Sequence, residues 1–248
     1  MQIITAAIIK GGAGKSTTTG ALAQAAHASG KKVLVIDLDP QANVSSFMGA
    51  DTEEPGTYQL LHGALPEDVI QTTAQGIDVI AASADLATEK TNAASAKRLQ
   101  SAIEPLKRKY DYIFIDTPPQ MGELTFNGLQ ASTGIIIPLE TDTGSIDGLY
   151  QITDIVQEIR EKNPKASIIG TIITRYDARP KINQYLRNEI AEKGKEEGAP
   201  LLAEIRPGIA IREAQARHKS LYDYAPKSNP AKDYMRLFEI IANRRAKK

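Results

Sequence analysis

The sequence predicts an α/β fold, a three-layer α/β/α sandwich with a mostly parallel central sheet. Three observations predict it. Short β-branched runs such as Val33-Leu34-Val35-Ile36 and Gly134 to Leu139 lack apolar–polar alternation, as strands covered on both faces require. Helix-length segments separate these runs, so successive strands pair in parallel through right-handed crossovers. The first run, Ile3 to Ile9, passes straight into a glycine-rich turn and a helix.

Each element follows in order. Thr17 to Ser29 reads as an Ala-rich helix, ended by Gly30 and followed by Lys31-Lys32. The strand Val33 to Ile36 runs into Asp37-Leu38-Asp39-Pro40-Gln41. Residues 43 to 75 read as irregular and helical pieces, with Leu60-Leu61 and Val69-Ile70 as core contacts. Gly76 to Ala81 is a short strand, and Ser95 to Lys109 a helix with Leu99, Ile103 and Leu106 at helical spacing. Tyr110 to Asp116 is a strand leading into Thr117-Pro118-Pro119, and Gly134 to Leu139 is another. Ile146 to Lys162 is a helix, Ser167 to Thr174 a strand, and Arg175 to Arg179 a loop. Pro180 to Lys195 is a helix with Pro in its first turn, and Pro230 to Lys247 is the terminal helix. Neither linker nor repeat interrupts this order, so residues 1–248 are expected to form a single domain.

The chemistry sits in Lys10-Gly11-Gly12-Ala13-Gly14-Lys15-Ser16-Thr17. Three glycines in four positions let successive backbone N–H groups point at an anion, and the helix that begins near Ser16 adds its partial positive charge. Lys15 takes the nucleotide-phosphate position, and the Ser16 hydroxyl is placed to reach a magnesium ion. The common phosphate loop G-x-x-x-x-G-K-[ST] would have Gly at position 9; this chain has Ile9, and a second lysine, Lys10, heads the loop. Two strand ends carry carboxylates behind it. Asp39 follows the second strand, Asp116 ends the later one, and both face the ligand crevice of a parallel sheet.

The run K-G-G-x-G-K-[ST] resembles the deviant Walker A box of the ParA/MinD group of P-loop ATPases. Ile9 before the first lysine is similar to the ParA/Soj branch, in which the glycine kept by MinD-like members is usually absent. Asp37-Leu38-Asp39-Pro40-Gln41 resembles the family's Walker A′ box, and Tyr110 to Pro119 its Walker B strand. The resemblance implies ATP and Mg2+ as cofactors. It implies Lys10 reaching across a homodimer interface to the partner's phosphates, Lys15 on the phosphates in its own protomer, and Asp39 orienting the attacking water. Ser16, Asp39 and Asp116 would hold magnesium, partly through water. Ile173 to Arg179 looks like the segment that ends a strand near the adenine, with Arg175 where Met or Lys is more usual. Ile205-Arg206-Pro207-Gly208 resembles a Soj-like I-P-R segment with Arg and Pro exchanged, which puts Arg175 and Pro207 in the base pocket. Non-specific DNA contacts would fall to Arg206, Arg212, Arg217 and Lys219, and a centromere-binding ParB-like adaptor would stimulate hydrolysis.

Composition narrows the alternatives. The chain has 248 residues and no cysteine, which excludes a disulfide framework, a thiolate zinc site and, within this ATPase group, an iron–sulfur cluster of the nitrogenase iron-protein type. No apolar run approaches the roughly 18 residues of a membrane span, and Met1 to Ile9 lacks a signal-peptide pattern; a cytoplasmic, nucleoid-associated protein without stable membrane insertion is expected. The net charge is zero but unevenly spread. Residues 1–150 carry 10 Lys and Arg against 17 Asp and Glu, and residues 151–248 carry 20 against 13. That basic half fits a phosphate-contacting surface, or ordinary solvated helix faces.

Four functions compete: a partition ATPase, a MinD-like membrane-cycling regulator, a bacterial tyrosine kinase, and an ATP-dependent amidotransferase or synthase. The regulator would need an amphipathic tail, and Leu237, Ile240 and Ile241 do share one face of the terminal helix. A helix packed on the sheet shows the same stripe. The tail has no tyrosine cluster of the kinase kind, and 248 residues leave little room for a synthase's extra domains. With the first strand opening at residue 3, specific promoter recognition through an N-terminal helix-turn-helix is not expected of this chain, and sequence reading is expected to fall to the adaptor.

Overall fold

The computed structural model describes residues 1–89 and 97–245. Along the chain run β1 (Gln2–Ala6), α1 (Lys15–Ala28), β2 (Val33–Asp37), α2 (Asn43–Met48), α3 (Thr57–Leu61), α4 (Pro66–Val69), β3 (Gln71–Thr72), β4 (Asp78–Ile80) and α5 (Arg98–Ala102). Then follow β5 (Tyr112–Asp116), α6 (Glu123–Ala131), β6 (Gly134–Leu139), α7 (Gly144–Lys162), β7 (Ile168–Ile173), α8 (Lys181–Glu196), β8 (Leu201–Glu204), α9 (Ile209–Ala216), α10 (Leu221–Tyr224) and α11 (Asn229–Arg245). Among the described residues eight strands form one sheet in the order β3-β4-β2-β5-β1-β6-β7-β8. All pairings are parallel except that of β3 with β4. The expected α/β sandwich is therefore the observed fold.

Period-2 side-chain geometry sorts the strands' apolar residues onto two helical layers. Ile4, Val33, Val35, Tyr112 and Phe114 face α1 and α11, packing with Leu22, Ala26, Tyr234, Leu237 and Phe238. Ile3, Leu34, Ile36, Ile113 and Ile115 face the opposite layer, with Leu60, Leu99 and Leu106. Burial on both faces is why these strands show no alternation. The helix α1 is buried nearly all round from Thr18 to Ala26. Small Ala side chains permit that close approach to sheet and α11, and Gly30, at φ 76°, ends the helix with its N–H donating to the His27 carbonyl at 2.8 Å.

The expected helix over Ser95 to Lys109 is corrected. Its first two residues lie outside the described ones, and α5 stops at Ala102; residues 104–108 wind as a 3₁₀ turn. Pro105 supplies the reason, since it lacks the N–H that a continuous helix would use. Five elements absent from the sequence reading, β3, α6, β8, α9 and α10, have nine residues or fewer each. Their formation rests on packing rather than propensity.

Strand direction positions the candidate site. The chain leaves β1 for β2 on one side, with β5 between them, and later crosses from β5 past β1 to β6. A crevice opens at such a reversal outside the strands' carboxyl ends, where the loops after β1, β2, β5 and β6 meet.

Candidate active site

Gly12 and Gly14 hold φ of 77° and 86°, the left-handed region that favours glycine. A Cβ on Gly14 would sit 3.2 Å from Thr174 Cγ2, so the close approach of β7 also demands glycine there. The Thr174 hydroxyl bonds the Ala13 and Leu139 carbonyls, each at 3.1 Å, tying the loop to the ends of β6 and β7. Gly11 and Gly12 are exposed and would meet nothing within 4 Å, so the loop's outer rim is open.

Lys15 is 6% exposed. Its ammonium donates to the Lys10 carbonyl at 2.9 Å and the Ile8 carbonyl at 3.3 Å. Burial pulls its pKa down, while Asp116 and Asp39 act in the opposite direction. Ser16 and Thr17 follow it in the first turn of α1, both half-buried.

Asp37 and Asp116 are register partners on neighbouring strands, each with no exposed surface. Asp37 accepts hydrogen bonds from Asp39 N–H at 3.0 Å, Ser45 N–H at 3.0 Å and the Ser45 hydroxyl at 2.7 Å. It thereby fixes the turn that presents Asp39. Burial raises its pKa to about 6 despite those bonds. Burial raises Asp116 too, and the Asp37 charge adds to it; the Ser16 hydroxyl and Lys15 pull the other way. Asp116 Oδ1 accepts from the Thr19 hydroxyl at 3.3 Å, but its buried Oδ2 has no hydrogen-bond partner. An orphaned carboxylate oxygen beside a second carboxylate and a P-loop hydroxyl fits a magnesium-held water. Among the described residues no three His, Asp or Glu side chains gather as a self-sufficient metal cage. Magnesium bound with few protein ligands and the substrate's phosphates needs no such cage.

Asp39 is 6% exposed, and its Oδ1 accepts from Gln41 N–H at 3.0 Å. Lys10 and Arg175 are engaged by the loop after β6. Asp142 takes the Lys10 ammonium, and Glu140 takes the Arg175 guanidinium, which also donates to the Gly12 carbonyl at 2.6 Å. Arg175 holds φ 51°, a left-handed value uncommon outside glycine. The geometry thus brings Lys10, Gly11, Gly12, Ala13, Gly14, Lys15, Ser16, Asp39, Asp116 and Arg175 together. Pro207 lies apart from these contacts, exposed in the turn between β8 and α9.

The four candidate DNA residues are not equivalent. Arg206 forms a two-pronged bond to Asp233, Nε–Oδ2 at 2.9 Å and Nη2–Oδ1 at 2.7 Å, and that carboxylate raises its pKa further. Its charge is committed to the start of α11. Arg212 and Lys219 are exposed, and Arg217 lies 5.6 Å over the Tyr224 ring.

Asp37, Thr174, Glu140 and Asp142 went unread as site residues. For Asp37 the signal was present, since it stands two residues before Asp39 at the end of a buried strand. For the other three no local pattern exists, because they reach the loop only through strand order.

A glycine-rich loop between a parallel strand and a helix, with a buried lysine and two strand-end carboxylates, defines a nucleotide-phosphate-binding α/β protein. A family model described as an AAA domain matches residues 1–168. The chain is 32% identical to the sporulation initiation inhibitor protein Soj of Bacillus subtilis (strain 168), over 97% of this chain and 98% of that one. It is 30% identical to the chromosome partitioning protein ParA of Caulobacter vibrioides (strain NA1000 / CB15N), over 98% and 95%. A crystal structure of cobyrinic acid a,c-diamide synthase from Mycobacterium smegmatis with bound ADP and magnesium superimposes with a TM-score of 0.82 at 25% identity, covering 100% of this chain and 97% of that one. The chain belongs to the ParA/MinD-type family of P-loop ATPases.

Proposed function

We propose that this protein, acting as one domain, is a cytoplasmic, nucleoid-associated partition ATPase. It dimerises on ATP, binds duplex DNA without sequence preference, and hydrolyses ATP to ADP and phosphate under stimulation by a ParB-like adaptor. The observation that carries the reading is the convergence of buried Lys15, the open glycine loop, and Asp39 and Asp116 at one crevice. Phosphoryl transfer passes through a loose transition state, so the protein's work is positioning and charge stabilisation. The amides of residues 11–16 and the Lys15 ammonium hold the β and γ oxygens. Ser16 and, partly through water, Asp39 and Asp116 would hold magnesium, which would supply neutralising charge on those oxygens. Asp39 orients the attacking water. Lys10 reaches the partner's phosphates, and Arg175 and Pro207 border the base.

Exposed apolar side chains support a partner at this edge. Ile182 and Tyr185, 59% exposed each, begin α8, and Ile209, 62% exposed, begins α9; both helices start where parallel strands end, on the loop's side of the sheet. The membrane-cycling alternative draws no support from α11, because Leu237 and Ile241 are buried in the core. No described helix is long and apolar enough to cross a membrane. Chain length does not separate the partition reading from a synthase, since this chain covers 97% of the synthase structure. The relatives at 30% identity or more favour partition.

The test is duplex binding across salt with ATP, ADP and no nucleotide. Affinity should require ATP, ignore sequence, and fall with a log–log salt slope near −0.9 per phosphate contact. Charge reversal at Arg212, Arg217 or Lys219 should weaken all duplexes alike, and reversal at Arg206 should act mainly through stability. Equal binding with ADP and ATP, or insensitivity to salt, refutes the partition reading.

A further inference from the structure

We propose that Asp142 is a positioning residue for Lys10: it holds the Lys10 side chain on its own protomer and sets the nucleotide concentration at which Lys10 is released to a second copy of this chain. The inference rests on the functional reading above, in which Lys10 acts across a dimer.

Lys10 is not waiting free at the rim of the loop. Its ammonium bonds Asp142 Oδ2, from a loop 132 residues farther along the chain. Asp142 is itself built into place. The Ser145 hydroxyl, with no exposed surface, donates to Asp142 Oδ1 at 3.1 Å and accepts the Glu140 N–H at 3.2 Å. Both carboxylate oxygens are thus used, one by the fold and one by Lys10. The same four-residue connector between β6 and α7 supplies Glu140, which takes the Arg175 guanidinium beside the Gly12 carbonyl. Two carboxylates of one loop therefore hold half-buried Lys10 and exposed Arg175, the two cations that flank the phosphate loop.

A second hold couples this arrangement to nucleotide. The Lys15 ammonium donates to the backbone carbonyl of Lys10. When Lys15 turns to a phosphate, that bond is given up, and the head of the loop keeps only the Asp142 contact. An incoming triphosphate also sets negative charge near Glu140 and Asp142, which weakens their hold by like-charge repulsion. Binding in one protomer thereby favours presentation of Lys10 to the next. With ADP the charge is smaller and the hold persists.

The test compares the parent with Asp142→Asn, Asp142→Glu and Ser145→Ala. One arm measures acetylation of the Lys10 amine by mass spectrometry in the nucleotide-free protein. The other measures dimer formation against ATP concentration, with magnesium, by light scattering. Losing a half-exposed ion pair predicts several-fold faster Lys10 acetylation in Asp142→Asn, and half-dimerisation at about two- to five-fold lower ATP. Ser145→Ala should shift both in the same direction by less, and Asp142→Glu should restore parental values. A merely structural role for Asp142 would change stability without exposing the Lys10 amine. Equal Lys10 labelling in parent and Asp142→Asn overturns the proposal, as does faster labelling with an unchanged ATP threshold. If neither parent nor variant dimerises at any ATP concentration, the partition reading fails together with it; dimers that form in both at one threshold sink the proposal alone.

Discussion

Asp37→Asn should remove a pH dependence of stability that the structure assigns to one buried carboxyl. In the folded protein Asp37 has no exposed surface, and its pKa is raised to about 6 from the ordinary 3.8. A folded-state pKa above the unfolded one means that the native state binds the proton more tightly. The associated stability is present in full below about pH 4 and is lost as the pH rises through about 6. The whole loss is about 3 kcal/mol at about 1.4 kcal/mol per unit, and about 1.4 kcal/mol of it falls between pH 5 and pH 7.5. Asparagine carries no titrating proton, so the variant's unfolding free energy should change by that much less between the two pH values. Removing the neighbouring charge also lets Asp116 ionise more easily, which acts in the same direction. In absolute terms the variant at pH 7.5 should lie close to the parent: relief of the buried charge offsets an amide poorly matched to Ser45 N–H and the Ser45 hydroxyl, about 1–3 kcal/mol. The assay is urea unfolding of metal-free, nucleotide-free protein at the two pH values. An identical pH dependence in parent and variant would refute the reasoning.

Three further perturbations follow from the site. Lys15→Ala removes a buried cation at the phosphates and should weaken ATP binding about 10- to 100-fold by titration calorimetry, whereas Lys10→Ala should leave single-protomer binding within a few-fold and abolish turnover; equal losses would make Lys10 an ordinary loop residue. Asp39→Ala should lower hydrolysis by about 10²- to 10⁴-fold while the ATP dimer persists on size exclusion, and a monomer at saturating nucleotide would count against the mechanism. Gly14→Ala forces a side chain onto φ 86° and 3.2 Å from Thr174, so about 1–2 kcal/mol of strain should lower the melting temperature by about 2–8 °C; an unchanged melting temperature would show that the loop relaxes freely.

The phosphate loop was legible because its chemistry is contiguous. Gly12 and Gly14 need left-handed φ, Lys15 and Ser16 need the first turn of a helix, and all of these are neighbours in sequence. The doubly covered strands were legible for a similar reason: β2 and β5 meet helices on both faces, so every residue of Val33 to Asp37 and of Tyr112 to Asp116 is buried and no alternation survives. Propensity failed where length was short or packing decided, as at β8, four half-exposed residues on the sheet's edge, and at the helix that Pro105 broke. Charge was the least legible quantity. From sequence Arg206 and Lys10 are equally free cations, yet the fold sets Asp233 against one and Asp142 against the other. Asp37 beside Asp116 is likewise a matter of strand register, which no spacing along the chain encodes. Sequence by itself determined the groups that need only their chain neighbours to take shape; tertiary structure alone decided which charges meet, because Coulomb and hydrogen-bond partners act over a few ångströms of space and not over sequence.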